Sequence, residues 1–396
     1  MLPLELLRPI IEEINDNNTI CSLLLTSKAF QHDAEQWLYH TPNPARPSVL
    51  CLDYTHIAFL STITTNPQLA SLIHTYYLND VVSYRENPLW DLVKLGLHAM
   101  VNLKVLHFCA FAGHPAAELL DGCPFQLEHL HWGSHSDEVA MAWILHQQPK
   151  LRHLYLECKL SIVQTHLSRL NRFRDASSPA NLQKFFTDDC CPNLHSLGGN
   201  RMTIDLLLPG RNIRKLFWVP RLEDSHNVPV PELVAQALSR LETLSLRGYF
   251  IRWSQGTLIH HLRELRVLEI VGSSDRERQK QETEMIKRLP NLRELVISLE
   301  SRTTDIHFPD IVERHQCIQQ FFAECPHLHL VDFLSSWSMM NEIWYQRWTR
   351  GMQGPRWCRT LMFTRAGFRM GWCIQPLRVR PLYLSDTHNV ILHKSS

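Results

Sequence analysis

The sequence predicts an α/β fold: an irregular solenoid of strand–helix repeats, entered through three short helices and closed by a Trp-rich cap. Three observations carry that prediction. A phrase L-x-x-L-x-(apolar) recurs every 24 to 28 residues where it is clearest, as from Leu103 to Leu127 to Leu151 and from Ile213 to Leu241. Three amphipathic stripes crowd the first 40 residues, and Trp337, Trp344, Trp348, Trp357 and Trp372 crowd the last 60. The expected organisation is a helical module over 1–40, then a Pro-containing linker and N-terminal cap over 41–70. The solenoid follows over 71–334, and a C-terminal cap with hairpin content over 335–396.

Composition bounds the function. Of 396 residues 44% are apolar and 20% charged, enough to bury a sizeable core. A net charge of +1 from 40 basic and 39 acidic residues argues against a nucleic-acid or membrane-surface partner, which a basic excess would favour. The eleven cysteines are odd in number and scattered, so no disulfide framework is expected. Glu5, Arg8, Glu12 and Glu13 rule the opening stretch out as a signal peptide. No apolar run reaches the roughly 18 residues that span a bilayer. The expectation is a reduced intracellular protein, cytoplasmic or nuclear.

In the opening stretch MLPLELLRPIIEEI, Leu6, Leu7, Ile10, Ile11 and Ile14 trace one helical face. Asn15 to Asn18 stop that helix and cap the next. A second stripe runs through Ile20, Leu23, Leu24 and Ser27, and a third through Phe30, Ala34, Trp37 and Leu38. Pro9 cannot donate a helical hydrogen bond, so the first helix either begins near Arg8 or kinks there. Three prolines between Thr41 and Pro47 end the unit. The features Leu2, Pro3, Glu5 and Leu6, then Ile10 and Ile14, Leu23 and Leu24, Lys28 and Phe30, and Leu38 and Tyr39 together resemble an F-box.

The repeat phrase reads LKVLHF from Leu103, LEHLHW from Leu127, LRHLYL from Leu151, IRKLFW from Ile213, LETLSL from Leu241, LRVLEI from Leu265 and LRELVI from Leu292. Weaker copies start at Leu194 and Leu328. Side chains alternate along a strand, so the first, fourth and sixth phrase residues point inward and the third and fifth line the opposite, concave face. Glu138 to Gln147 and Pro231 to Leu238 have the helical spacing of return segments on the convex side. This period and phrase resemble leucine-rich repeats. The Asn or Cys that many members carry three residues after the sixth position is absent; His135, Lys159, Tyr249, Ser273 and Glu300 stand there. The gap from Leu151 to Leu194 is long for one repeat, and LQKFFT from Leu182 is a candidate degenerate strand within it. Ser273 to Glu284 reads as the solvated face of a convex helix. RGMQGPRW from Arg350 reads as a turn between two cap strands.

No catalytic motif is present: no GxSxG, P-loop, GxGxxG, HExxH or paired CxxC. The register nevertheless places a cluster. His129 should lie beside His153, and His107 beside His131, on strands about 5 Å apart. Tyr155 joins them, with Cys109 and Glu157 two residues further along. That inventory could bind zinc, or gain charge as pH falls. With nothing fixing tetrahedral geometry, the reading taken is a polar-aromatic recognition surface without metal or other cofactor. Phe217, Glu269 and Glu294 extend it, with acid gathering toward the C-terminal repeats.

Taken together the chain resembles an F-box/leucine-rich-repeat protein, most like those of basidiomycete fungi. The resemblance implies a non-catalytic substrate-recognition subunit of an SCF-type cullin-RING ubiquitin ligase. Leu2, Pro3, Leu6, Ile10, Leu23, Leu24 and Lys28 would then dock on a Skp-type adaptor and through it a cullin. The repeats would hold an unknown protein target. The alternative is a leucine-rich-repeat scaffold outside any ligase.

Overall fold

A strand that hides its fourth and sixth phrase residues on one face can stack on copies of itself, with a return segment covering the buried face. That is the architecture of the computed structural model, which describes residues 7–14, 17–26, 28–42, 54–81, 88–110, 116–133, 138–156, 183–219, 230–247, 259–271, 284–298, 311–337, 343–351 and 356–359. Among these residues the strands are β1 (Thr75–Val81), β2 (Val105–Ala110), β3 (His129–Gly133), β4 (His153–Leu156), β5 (Ser196–Gly199) and β6 (Lys215–Trp218). They continue as β7 (Thr243–Arg247), β8 (Val267–Val271), β9 (Glu294–Ser298), β10 (Leu330–Trp337), β11 (Ile343–Thr349) and β12 (Arg356–Arg359). They form one sheet in sequence order. Neighbours from β1 to β10 pair in parallel, and β11 and β12 close the end antiparallel. The fold is an α/β leucine-rich-repeat solenoid.

The register is that of the repeated phrase. Leu106, Leu130, Leu154, Leu197, Leu216, Leu244, Leu268, Leu295 and Val331 align across the sheet as one row. All are buried, as are the first-position residues Leu103, Leu127, Leu151, Leu194, Ile213, Leu241, Leu265, Leu292 and Leu328. Each such side chain contributes roughly 2 kcal/mol by leaving water. The rows share one core with the helices Pro88–Ala99, Glu138–His146, Arg201–Leu207, Glu232–Leu238 and Ile311–Glu324, through residues such as Leu97, Leu145, Leu207, Leu238 and Phe321.

Within the expected solenoid, β1 takes the phrase without its leucines at the first and fourth positions: Ile73, Tyr76 and Leu78 hold the first, fourth and sixth positions and are buried. One expectation is corrected. The long gap after Leu151 adds no strand among the described residues, because β4 pairs directly with β5. Residues 183–186 of the candidate strand form turns, with Phe186 buried and Phe185 exposed. The buried Arg211 ties the chain that follows to the next repeat. Its Nε donates to Cys190 O at 2.9 Å, Nη1 to Leu207 O at 3.0 Å and Nη2 to Thr187 O at 2.6 Å. In several repeats an Asn stands one residue before the first-position Leu or Ile. Asn102, Asn193 and Asn291 donate to the carbonyls of Ser71, Pro149 and Arg263 in the preceding turn, at 2.7, 2.9 and 2.8 Å.

β5 passes into the helix Arg201–Leu207 with no connecting loop. Gly199 adopts φ +154°, and Asn200 caps the helix by accepting from Thr203 N at 3.1 Å. A Cβ at Gly199 would lie 2.6 Å from Leu156 O, a backbone atom of β4 held in the sheet. Gly199→Ala should therefore cost about 2–3 kcal/mol, from overpacking and backbone strain. A shift of the urea midpoint reads it; an unshifted midpoint would mean the turn relaxes freely.

The N-terminal helices are α1 (Leu7–Glu13), α2 (Asn17–Thr26) and α3 (Lys28–His40). Pro9 falls in the first turn of α1, where backbone N–H groups have no partner within the helix, so it removes no bond there. The end of α3 joins the solenoid: His74 N donates to His40 O at 3.1 Å, the two imidazoles stack at 4.7 Å, and Tyr39 stacks on Phe59 at 6.3 Å. Trp348 of the cap is buried against the last repeat with His315 edge-on at 5.1 Å. Trp372, Glu157 and most of the charged stretch 273–284 lie outside the described residues.

Candidate functional site

Because identical phrase positions align across parallel strands, the third and fifth positions also form rows, on the sheet face opposite the helices. The fifth-position row starts Tyr77, His107, His131, Tyr155, Gly198, Phe217, Ser245, Glu269. Its rings form a ladder. His107 and His131 stack at 3.9 Å, His131 and Tyr155 at 4.3 Å, and Tyr77 lies 5.8 Å from His107. Tyr155 then spreads over Gly198, where a Cβ would stand 2.4 Å from its ring, and Phe217 meets it edge-on at 5.7 Å. In the third-position row His129 and His153 stack at 4.1 Å. The pairs read from the sequence are thus brought together.

Their exposure was not legible. Tyr155 and Phe217 are 0% and 5% exposed, and His107 and His131 8% each, because the stacked rings cover one another. They form the floor of the surface. His129, His153, Glu269 and Glu294 are half-buried and remain reachable. Glu269 is engaged within the protein, accepting from Ser245 Oγ at 2.7 Å. A residue missed by sequence reasoning is Asp332, at the fifth position of LHLVDF, which is fully buried and held by Arg347 of β11. The phrase itself marked its position; its partner came from the hairpin.

Three of these imidazoles, His107, His129 and His153, are held below the ordinary range. Burial pushes His107 down to about 4. His153 also falls to about 4, through burial first and then the neighbouring His129, His195, Lys215 and Arg152. His129 is lowered by burial, with Glu128 opposing. The face therefore offers the hydrogen-bonding imidazoles of His129 and His153 at one end and the carboxylates of Glu269 and Glu294 toward the other, over a floor of stacked rings.

The second candidate surface is the helical module. Ile11, Ile20 and Ala34 form its core, with Ile14, Leu24, Phe30 and Leu38 packed on it. This divides the stripes read from the sequence. Leu24 faces inward and Leu23 is half-buried, while Ile10 is 38% exposed and Lys28 is exposed. Leu2, Pro3 and Leu6 lie outside the described residues. Trp37, read as part of a packing stripe, is 42% exposed, and Leu25, not singled out, is 85% exposed. The run Leu23–Leu25 held the clue, since three consecutive helical residues cannot share one buried face.

No protein-family model matches the chain, and no curated protein matches it. Among solved structures it is similar to internalin C2 of Listeria monocytogenes, with 16% identity over 63% of this chain and 87% of that one and a TM-score of 0.25. It is also similar to a chain of the yeast Rad7 and Elc1 complex, with 14% identity over 82% of this chain and 94% of that one and a TM-score of 0.29. At these scores neither likeness carries an argument about what this chain does. The class rests on the strand register and the buried rows: a leucine-rich-repeat solenoid with a three-helix module packed at its N-terminal end. No helix among the described residues is long and apolar enough to cross a membrane.

Proposed function

We propose that the chain is a target-recognition subunit of an SCF-type cullin-RING ubiquitin ligase, its helical module docking a Skp-type adaptor and its open sheet face holding a protein target. The observation that carries this is the module's division of labour. Its core closes on Ile11, Ile20 and Ala34, yet Ile10, Leu25 and Trp37 stay exposed. A partner seated on the module would take these side chains out of water. Catalysis would be by proximity: a bound target gains effective concentration near a ubiquitin-charged enzyme, and this chain supplies orientation. The adaptor contacts then centre on Ile10, Leu23 and Lys28 of the described residues, joined by Leu25 and Trp37.

One observation favours the other reading, a scaffold outside any ligase: the end of α3 packs on the solenoid through Tyr39 and His40, as a capping element does. Co-purification with a Skp-type adaptor separates the two. The Ile10→Asp, Leu25→Asp double variant should lose roughly tenfold or more in adaptor affinity, as removal of interface anchors does. Both positions are solvent-exposed, so the module should stay folded, which far-UV circular dichroism checks. Equal recovery by wild type and variant would sink the ligase reading.

A further inference from the structure

Cys109, at the end of β2, points to the same sheet face as His107, two residues before it. His131 is the register partner of His107, and Gly133 is the register partner of Cys109. The glycine makes room: a Cβ at 133 would stand 2.9 Å from Cys109 Sγ. The thiol is thus admitted beside the two imidazoles, with its Sγ 3.5 Å from His107 Nε2. One donor atom from each of His107, Cys109 and His131 lies within 4.8 Å of the others.

We propose that His107, Cys109 and His131 form a binding site for one zinc-type ion, held by two imidazole nitrogens and one thiolate with a fourth position open to water or an external ligand. A tetrahedral ion with bonds of about 2.05 Å to nitrogen and about 2.3 Å to sulfur keeps those two atoms about 3.5 Å apart. Cys109 and His107 already stand at that separation. The third donor lies within about 1.5 Å of the same separation, and because an imidazole ligates in its own ring plane, His131 must turn out of its stack on His107 and Tyr155 to present its nitrogen to the ion. The donor set selects the metal class: a thiolate with imidazoles suits zinc or copper(I) and is a poor site for magnesium or calcium. The two histidines are almost wholly enclosed, whereas Cys109 is half-exposed, so the open position faces the solvent side of the sheet. On binding, the thiol proton leaves to solvent and the sulfur ligates as thiolate.

The test uses the whole chain, stripped of metal by chelator and titrated with cobalt(II) without oxygen. Cobalt(II) is a spectroscopic stand-in for zinc, and a bound thiolate adds a near-ultraviolet charge-transfer band. Wild type should bind one equivalent with that band, in competition with zinc. Cys109→Ser should lose the band, and His131→Gln should weaken binding at least tenfold. Cys123→Ser, half-buried elsewhere, should behave as wild type. Circular dichroism of each variant shows that it is folded; were Cys109→Ser unfolded, His131→Gln and His107→Gln would decide. No stoichiometric binding by wild type, or an unchanged band in Cys109→Ser, overturns the site. Neither adaptor nor target is needed, so the result is independent of the ligase reading.

Discussion

Arg347→Met should lower the stability of the C-terminal end by about 3–5 kcal/mol, and adding Asp332→Leu should restore most of it. Asp332 occupies the fifth position of β10 and is fully buried; Arg347 lies directly opposite on β11, its side chain 23% exposed. The guanidinium grips the carboxylate with both arms, Nε to Oδ1 at 2.8 Å and Nη2 to Oδ2 at 2.7 Å. Removing one member strands a charge in the interior, which is what costs several kcal/mol. The pair itself gains little over apolar residues of similar size, because both ions were desolvated to make it. Three variants therefore form a cycle: each single change is costly and the double change is mild. Chemical denaturation reads the totals. Hydrogen exchange should locate the damage, since a solenoid holds each repeat mainly through its neighbours. Exchange in β10 and β11 should accelerate while β2 to β4 stay protected. A single change worth less than about 1 kcal/mol would mean that water reaches Asp332.

The contrast between this pair and the rest of the sheet explains what the sequence could reveal. The parallel register was legible because one rule repeats. Leu at the fourth position fixes which face is buried, and parallel pairing then aligns every other position, so His129 met His153 and His107 met His131. In β1, where Ile73 and Tyr76 stand in place of Leu at the first and fourth positions, the phrase search failed although the physics was unchanged. The search also passed over the Asn preceding the first-position Leu. Its role is a bond to the previous turn, visible only once the turns are stacked.

Depth was the illegible quantity. Strand alternation says which face a residue is on, but not whether its neighbours cover it. Tyr155 is buried on a nominally open face because Gly198 beside it has no side chain, letting the ring lie flat across the next strand. The same limit applied to the helical module. Periodicity grouped Ile10 with Ile11 and Trp37 with Leu38, and only the packing of three helices separates the inward member of each pair. Asp332 shows the same thing for charge, since its partner comes from a strand that does not follow the repeat.

Acid should destabilise the metal-free protein well before its carboxylates protonate. The folded values of His107 and His153 lie near 4, against 6.5 for an ordinary imidazole. Between those pH values the unfolded chain binds protons that the folded chain refuses, so stability falls as pH drops through that window and is unaffected above it. A displacement from 6.5 to about 4 corresponds to about 3 kcal/mol for the enclosed His107. His153 is more open to water, and after screening about 1–2 kcal/mol is a fair allowance. Urea unfolding with chelator present, at steps from pH 7.5 to 4.5, measures the slope. His107→Gln should remove more than half of it, because a glutamine neither titrates nor refuses a proton. If wild type and His107→Gln trace parallel curves, His107 is open to solvent and the ladder is looser than drawn. The same depressed values bear on recognition. The imidazole end of the face brings no net charge, so a target seated there alone should bind with little dependence on salt, whereas one that also reaches the carboxylates of Glu269 and Glu294 should weaken as salt rises.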